Sequence, residues 1–545
     1  MMRLFSSLMA AFAVVAAMPA VAQEPRTVVD ASAATDLSVT VYRDPNRREG
    51  QKINKNWPRG FAMISETRTV TLPAGISKIR FEGVAEGMVA VSAIVTGLPG
   101  GTIEKNRNAA LLSPASLVNG NLGNLVQITR TNPGTGEAKT EDAFVRTRAD
   151  GGLVLETQGG FEAIRCAGLP EKLTFDGVPA GLSAKPIYSV NTNSPRGGTY
   201  EVVLTYISWG FDWQANYVGT LGESSGEGDF EMGLLSWLTL VNNNGQSFDN
   251  AKLLVIAGKL NVQSNYRALA ATPRAAPIRL RCFPIGSTSS GSPISNSNFR
   301  DEIKVTASRR NRDVPMMMEA AAPVAVMGAA DARAQVMKAV EENLGDLKLY
   351  RVPKRVDVSA KGMKQVAFLN EDAVKARYIY RAPCSFAVTR AGVGAPGFFA
   401  ANMLLVTKNE EERGLGMALP QGGLSVFEPN PRGSQLVAET NLRDYAEGQD
   451  VELPIGSSSQ VFAKCIPAQG PVTEGNMRKW FTMGAKLTNA NSHAVRVRME
   501  LGESGGWEAR FKGAKTRLKD GKIIAEVNVP ANGERQFSWR IRSTE

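Results

Sequence analysis

The feature that most limits the fold of this chain is a two-residue alternation of apolar and polar side chains. Val495, Val497, Met499 and Leu501 alternate with Arg496, Arg498 and Glu500, and Phe537, Trp539 and Ile541 alternate with Ser538, Arg540 and Arg542. Near the front, Leu37, Val39 and Val41 alternate with Ser38 and Thr40. Val202, Leu204 and Tyr206 share one face of a strand reaching about Trp209. Strand side chains point to opposite faces in turn, so this period describes strands with one buried and one wet face. Antiparallel sheets are built this way.

Turn chemistry agrees. Leu72-Pro73-Ala74-Gly75, Val178-Pro179-Ala180-Gly181 and Val529-Pro530-Ala531-Asn532-Gly533 each close a strand-like run. Proline stops the ladder, and glycine or Asn-Gly supplies the positive φ of a reversal. Asn244-Gly245 is a further reversal, between Trp237–Val241 and Ala251–Ile256. The fold class expected is all-β: two or more antiparallel sandwich-like domains joined by a flexible linker, with one short helix. At 545 residues, two to four domains are expected. The division runs as an N-terminal β domain at 23–190, a β region with a Trp-rich motif at 191–283, a flexible linker at 284–328, a helix at 329–346, and a C-terminal β domain at 347–545. The linker contains Gly286-Ser287-Thr288-Ser289-Ser290-Gly291-Ser292, too polar and entropic to pack. For the helix, Asp331 suits an N-cap, Val336, Val340 and Leu344 fall at i, i+4 and i+8, and Gly345 stops it.

Met1–Ala22 reads as a cleavable secretory leader, with Arg3, an apolar run from Leu4 to Ala17, and the small-x-small site Ala20-Val21-Ala22. No later stretch reaches the roughly 18 apolar residues that span a bilayer. The expected location is the periplasm. Export bears on the four cysteines, Cys166, Cys282, Cys384 and Cys465, because an even number in an oxidising compartment favours disulfides. Four cysteines allow three pairings. Cys166 with Cys282 and Cys384 with Cys465 keep each bridge on one side of the linker, and buried free thiols are the alternative. No CxxC is present, which disfavours a zinc ribbon or a redox dithiol.

The net charge of +11 is spread along the chain, and export argues against nucleic acid as a partner. The densest basic run is Arg43, Arg47, Arg48, Lys52, Lys55 and Arg59, with Trp57 among them. It is the candidate contact for an anionic glycan or lipid; the competing reading is a solvated loop. Histidine is the usual base near neutral pH and the commonest metal ligand, and this chain has only His493. Two segments match G-x-S-x-G, around Ser224 and Ser504. A hydrolase elbow needs a strand before it, a helix after it and a later histidine. Strand-like sequence follows both serines, and no histidine follows Ser504, so both read as turns. Met316-Met317-Met318 and Met327 could bind Cu(I), or form a loosely packed apolar patch. Neither cofactor nor metal is expected. Glycosidase carboxylates cannot be recognised from spacing.

Several segments carry a family resemblance. They are Trp209–Tyr217, Trp237–Asn242 with Gly245, Phe248–Ala251, Ala257-Gly258, Leu344–Tyr350, Lys364–Val366, Leu415–Gly422 and Val529–Gly533. In that order they resemble a bacterial family of unknown function, the mucoidy-inhibitor-A-like envelope proteins. The resemblance implies an all-β envelope protein and no catalytic residues. Read physically, Trp209, Trp213, Tyr217 and Trp237 supply buried area at strand crossings. Together these observations lead to the expectation of an exported, non-enzymatic interaction or structural protein of the cell envelope. Its partner would be an envelope protein or an anionic glycan, in surface-polysaccharide or envelope homeostasis. The rival is an envelope hydrolase using paired carboxylates. Clustered buried acids in a cleft would favour that rival.

Overall fold

The computed structural model describes residues 27–108, 111–148, 153–164, 171–179, 182–222, 229–258, 260–270, 339–390, 397–467 and 477–545. The expected leader, Cys166, Cys282, Ser224, the 284–328 linker and the methionine cluster lie outside the described residues.

The chain is all-β, as the alternation requires. Most strands join one hydrogen-bonded network that closes on itself. A four-stranded sheet and a five-stranded sheet stand beside it. The five-stranded sheet runs in the order Gly160–Ala163, Val154–Thr157, Ala138–Val145, Leu125–Thr131, Glu171–Thr174, and encloses its own small core around Val126, Ile128, Val145 and Leu155. The expected turns at Pro73-Ala74, Asn244-Gly245 and Pro530–Asn532 each separate two strands. Gly75 and Asn532 take positive φ there, at 97° and 44°.

Three long strands carry the architecture. Gly198–Leu221 has 24 residues, Gly362–Pro383 has 22 and Asp450–Ile466 has 17. Each leaves one set of partners for another along its length. The first half of Gly198–Leu221 pairs with Gly60–Leu72; the second half pairs antiparallel with Phe230–Asn242 and parallel with Gly422–Glu428. The change happens at Gly210, where φ is 95° and the register shifts between Trp209 and Phe211. A bulge adds one residue, so the inward parity flips. Val202, Leu204 and Tyr206 are buried before it, and Phe211, Trp213, Ala215 and Tyr217 after it.

The structure overturns two expectations. First, the chain does not divide its cores at 284–328. One hydrophobic cluster runs from Val39 through Trp213 and Phe368 to Leu453, drawing on strands from both sides of that segment. Phe230–Asn242 pairs with Gly362–Pro383, and Phe248–Ala257 with Leu347–Arg351. The second cluster begins only at Tyr380 and takes in the strands up to Ile541. Composition marks a break in packing along the sequence, but strand pairing crosses such breaks freely. Second, the helix expected at 329–346 is not formed in its described part. Val340–Leu344 is a strand paired with Leu347–Arg351. Gly345 has φ 59° and closes a two-residue hairpin between Leu344 and Leu347. A positive φ ends a helix and turns a hairpin equally well. Val340 and Leu344, which suggest a helical stripe by spacing, are exposed.

Candidate functional site

The two large cores meet along a cleft of about 600 Å³. Its charged residues come from separate strands. Arg381 lies near the end of Gly362–Pro383, and Arg498 stands opposite it in parallel register on Val495–Glu503. Glu526, on the antiparallel neighbour Lys522–Val529, stands opposite Arg498. Asp450 and Glu452 begin the strand Asp450–Ile466, and Lys519 and Asp520 belong to the hairpin that enters Lys522–Val529. Leu404, Tyr445, Pro454 and Ile524 supply the apolar part of the wall. These strands alternate, so the face opposite Val497, Met499 and Ala525 is free to hold charge.

The charges interlock. Arg498 is buried; its Nη1 donates to Glu452 at 2.7 Å and its Nε to Glu526 at 3.0 Å. Arg517 donates to the same Glu526 oxygen at 2.5 Å. Lys519 Nζ lies 2.8 Å from Asp450 and 3.1 Å from Glu452, and Lys522 Nζ lies 2.7 Å from Glu500. The hydrogen bond from Lys519 holds the Asp450 carboxyl below its ordinary range. Burial works to raise the pKa of Glu526, yet Arg498 and Arg517 hold it below the ordinary value. Burial likewise opposes the charge of Lys519, but Asp450 and Glu452 raise its pKa. Asp450 and Glu526 are therefore ionised at neutral pH. A general acid near neutrality needs the opposite shift.

Two cations differ from the rest. Arg381 reaches Glu500 only at 3.6 Å, beyond hydrogen-bond distance, and its buried Nε has no hydrogen-bond partner. Arg443 lies over the Tyr445 ring at 4.7 Å and makes no ion pair with any described residue. The cleft therefore pairs Asp450, Glu452 and Glu500 with cations; Asp520 also lines it, and Arg443 alone of its five basic residues has no ion pair with a described residue.

The basic run from Arg43 to Arg59 is gathered on one loop, outside this cleft. Arg43 is taken up by Asp444, its Nη1 donating at 2.9 Å. Arg47 is ion-paired with buried Asp212 and donates to the Trp213 carbonyl at 2.7 Å. These two brace the loop and are not free ligand contacts, which corrects that expectation. The reason is local: Asp212 lies on the strand face opposite Phe211 and Trp213, where the loop carrying Asp44 and Arg47 covers it. Arg48, Lys52, Lys55 and Arg59 are exposed, and Trp57 packs under Arg267 at 3.9 Å. His493 lies in the turn before Val495–Glu503, its carbonyl accepting from Asn489 Nδ2 at 2.8 Å. Ser504 lies between two strands, Val495–Glu503 and Trp507–Phe511, and so is not in a strand-to-helix elbow. Cys384 and Cys465 form a disulfide, the pairing that the sequence favours.

The segments that carry the family resemblance converge. Tyr217 donates to the Pro420 carbonyl at 2.7 Å, and Tyr350 to the Ala418 carbonyl at 2.8 Å. Burial pushes both phenols well up. A Cβ on Gly422 would stand 2.1 Å from the Ala215 carbonyl oxygen, so only glycine lets these backbones approach. Trp213 is buried and donates to the Ile256 carbonyl at 3.2 Å. Trp209 and Trp237 depart from the expected core role: Trp209 is half-buried and Trp237 is 37% exposed, because both fall on the outer parity of their strands.

Fold and site together define an all-β, disulfide-bonded protein with an ion-paired cleft between two cores. No family model matches the chain, and no curated protein matches it significantly.

Proposed function

We propose that this chain is an exported, non-enzymatic binding protein of the bacterial cell envelope, and that the cleft between its cores receives an anionic or acceptor-rich ligand. The observation that carries this reading is the cation excess of the cleft, where Arg381, Arg443, Arg498, Lys519 and Lys522 face Asp450, Glu452, Glu500 and Asp520. Asp450, Glu452 and Glu500 have cationic partners, and Arg443, stacked on Tyr445, makes no ion pair with any described residue. Guanidinium donors of this kind recognise carboxylate and phosphate oxygens. Export is supported by the leader-like Met1–Ala22 and by the Cys384–Cys465 bridge, which suits an oxidising compartment. The family resemblance of the Trp209–Gly258 and Leu415–Gly422 segments points to the same place, and a role in surface-polysaccharide or envelope homeostasis follows from it.

The gathering of Asp450, Glu452 and Glu500 in one cleft favours a second reading, a carboxylate-based envelope hydrolase. The lowered pKa of Asp450 takes that residue out of the proton-donor role, because it gives up its proton too readily to protonate a leaving group. The experiment is affinity capture from the native periplasm, with mass spectrometry of both proteins and glycans, using the natural chain and Arg443→Gln side by side. A recovered anionic glycan or acidic partner that Arg443→Gln fails to retain supports the binding reading. Equal capture by both chains removes the cleft from it.

A further inference from the structure

The outer face of the C-terminal sheet carries a separate feature. Phe481–Asn489 pairs with Gly533–Ser543, which pairs in turn with Trp507–Phe511. Alternation buries Trp539 and Ile541 and turns Arg540 and Arg542 outward. Arg510 stands directly across from Arg540. The guanidinium carbons of Arg510, Arg540 and Arg542 lie 4.5, 5.5 and 4.8 Å from the centroid of one ring, that of Trp480.

Like charges directly opposite one another on a sheet are destabilising. The indole face attracts each cation and offsets part of that repulsion. Only Glu508 answers them in charge among the described residues, at 2.6 Å from Arg542 and 3.6 Å from Arg510. Arg540 has no ion pair with any described residue. Three guanidiniums are thus held on a flat face with one carboxylate among them. Exposed Thr482 and Ser538 lie on the same face beside Arg540. None of these residues lines the cleft.

We propose that Trp480, Arg510, Arg540 and Arg542 form a docking surface for an acidic polysaccharide, whose carboxylates are gripped by guanidiniums that the indole holds in place. Charge complementarity selects an anion, and stacked guanidiniums present their forks with little rotamer freedom left to lose. Arg510 and Arg540 are separated by one strand spacing of about 4.8 Å, and Arg540 and Arg542 by two strand rises, about 6.8 Å. Several anionic groups on one extended polymer fit that row better than a single small anion. Hydroxyls at Thr482 and Ser538 suit a hydroxyl-rich chain. A membrane surface fits less well, since stable attachment needs an inserted apolar or lipid anchor besides charge. The exposed large hydrophobic residues include none on these three strands. The proposal does not rest on the cleft: either site can fail alone.

The test measures binding of polygalacturonate to the full-length mature protein by calorimetry, with neutral dextran and phosphatidylglycerol vesicles as parallel arms. Arg510→Gln with Arg540→Gln is expected to weaken polygalacturonate binding by about tenfold or more. A control of equal charge loss on the five-stranded sheet, Lys139→Gln with Lys172→Gln, is expected to stay within about twofold. Arg540→Gln alone breaks no ion pair and is expected to weaken binding in the same direction, by less, if the double variant melts early. No binding by the natural chain, equal weakening by the control, or binding of vesicles without polygalacturonate would each overturn the proposal.

Discussion

Arg47 and Asp212 form an ion pair in which both side chains are almost fully buried, at 6% and 2% exposure. The pair ties the loop after Tyr42 to the strand that bends at Gly210. Asp212 also accepts the backbone N–H groups of Asp44 at 3.1 Å and Trp213 at 2.9 Å. Replacing Arg47 by Met leaves a buried carboxylate without its counter-charge, a change that costs about 3–5 kcal/mol. Arg48→Gln, on the exposed side of the same loop, should stay within about 0.5 kcal/mol. Urea unfolding of the two variants checks the contrast. Equal effects would mean that the loop is not braced through Asp212.

The bend itself is open to test. Gly210 has φ 95°, and a Cβ there would lie 3.0 Å from Asn244 Nδ2. Gly210→Ala should therefore cost about 1–3 kcal/mol. Gly219, further along the strand, has ordinary space around a new Cβ, with Leu424 Cδ1 at 3.5 Å. Gly219→Ala should change stability by less than about 1 kcal/mol in either direction. Thermal melts of the pair would contradict the bulge account if Gly219→Ala proved the more harmful.

The two-residue alternation specifies strands and their buried faces, as at Val495–Leu501 and Phe537–Ile541. It also turns Arg540 and Arg542 outward. It carries no information that Trp480 and Arg510 lie beside them, because cross-strand neighbours are set by pairing and not by spacing. The cleft is hidden from the sequence for the same reason. Arg381, Asp450, Arg498 and Lys519 are each an ordinary polar position on the wet side of a strand, and only the closing of the network brings them together. The parity flip at Gly210 is equally invisible, and aromatic content alone places Trp209 and Trp237 in the core because it does not say which face of its strand each occupies.

Cys384 and Cys465 are 81 residues apart and join the ends of two long strands inside the second core. Closing a loop of that length in the unfolded chain is worth about 4–5 kcal/mol in the chain-entropy account. Non-reducing peptide mapping of the native protein should recover this bridge, and reduction should lower the urea midpoint accordingly. Two freely alkylated thiols at these positions would reject it.

Asp36 gives a pH signature. Hydrogen bonds from Lys252 and Arg355 lower its pKa from 3.8 to about 2. A depressed folded value means that its stabilising contribution is present above the ordinary carboxylate pKa and is lost as pH falls from about 3.8 through about 2. The side chain is well exposed, so the effect on global stability should be small. Carbon-detected NMR titration should place the Asp36 midpoint near 2, and Lys252→Gln should move it upward. An unchanged midpoint in that variant would remove the assigned cause.

The central claim is that the cleft binds without turnover. Its most direct test is incubation of the purified protein with peptidoglycan and with acidic envelope glycans, followed by measurement of released reducing ends. The account predicts no release above buffer, for the natural chain and for Glu452→Gln and Glu500→Gln alike. Release by the natural chain that either substitution abolishes would contradict it, and would identify the cleft as a hydrolase site.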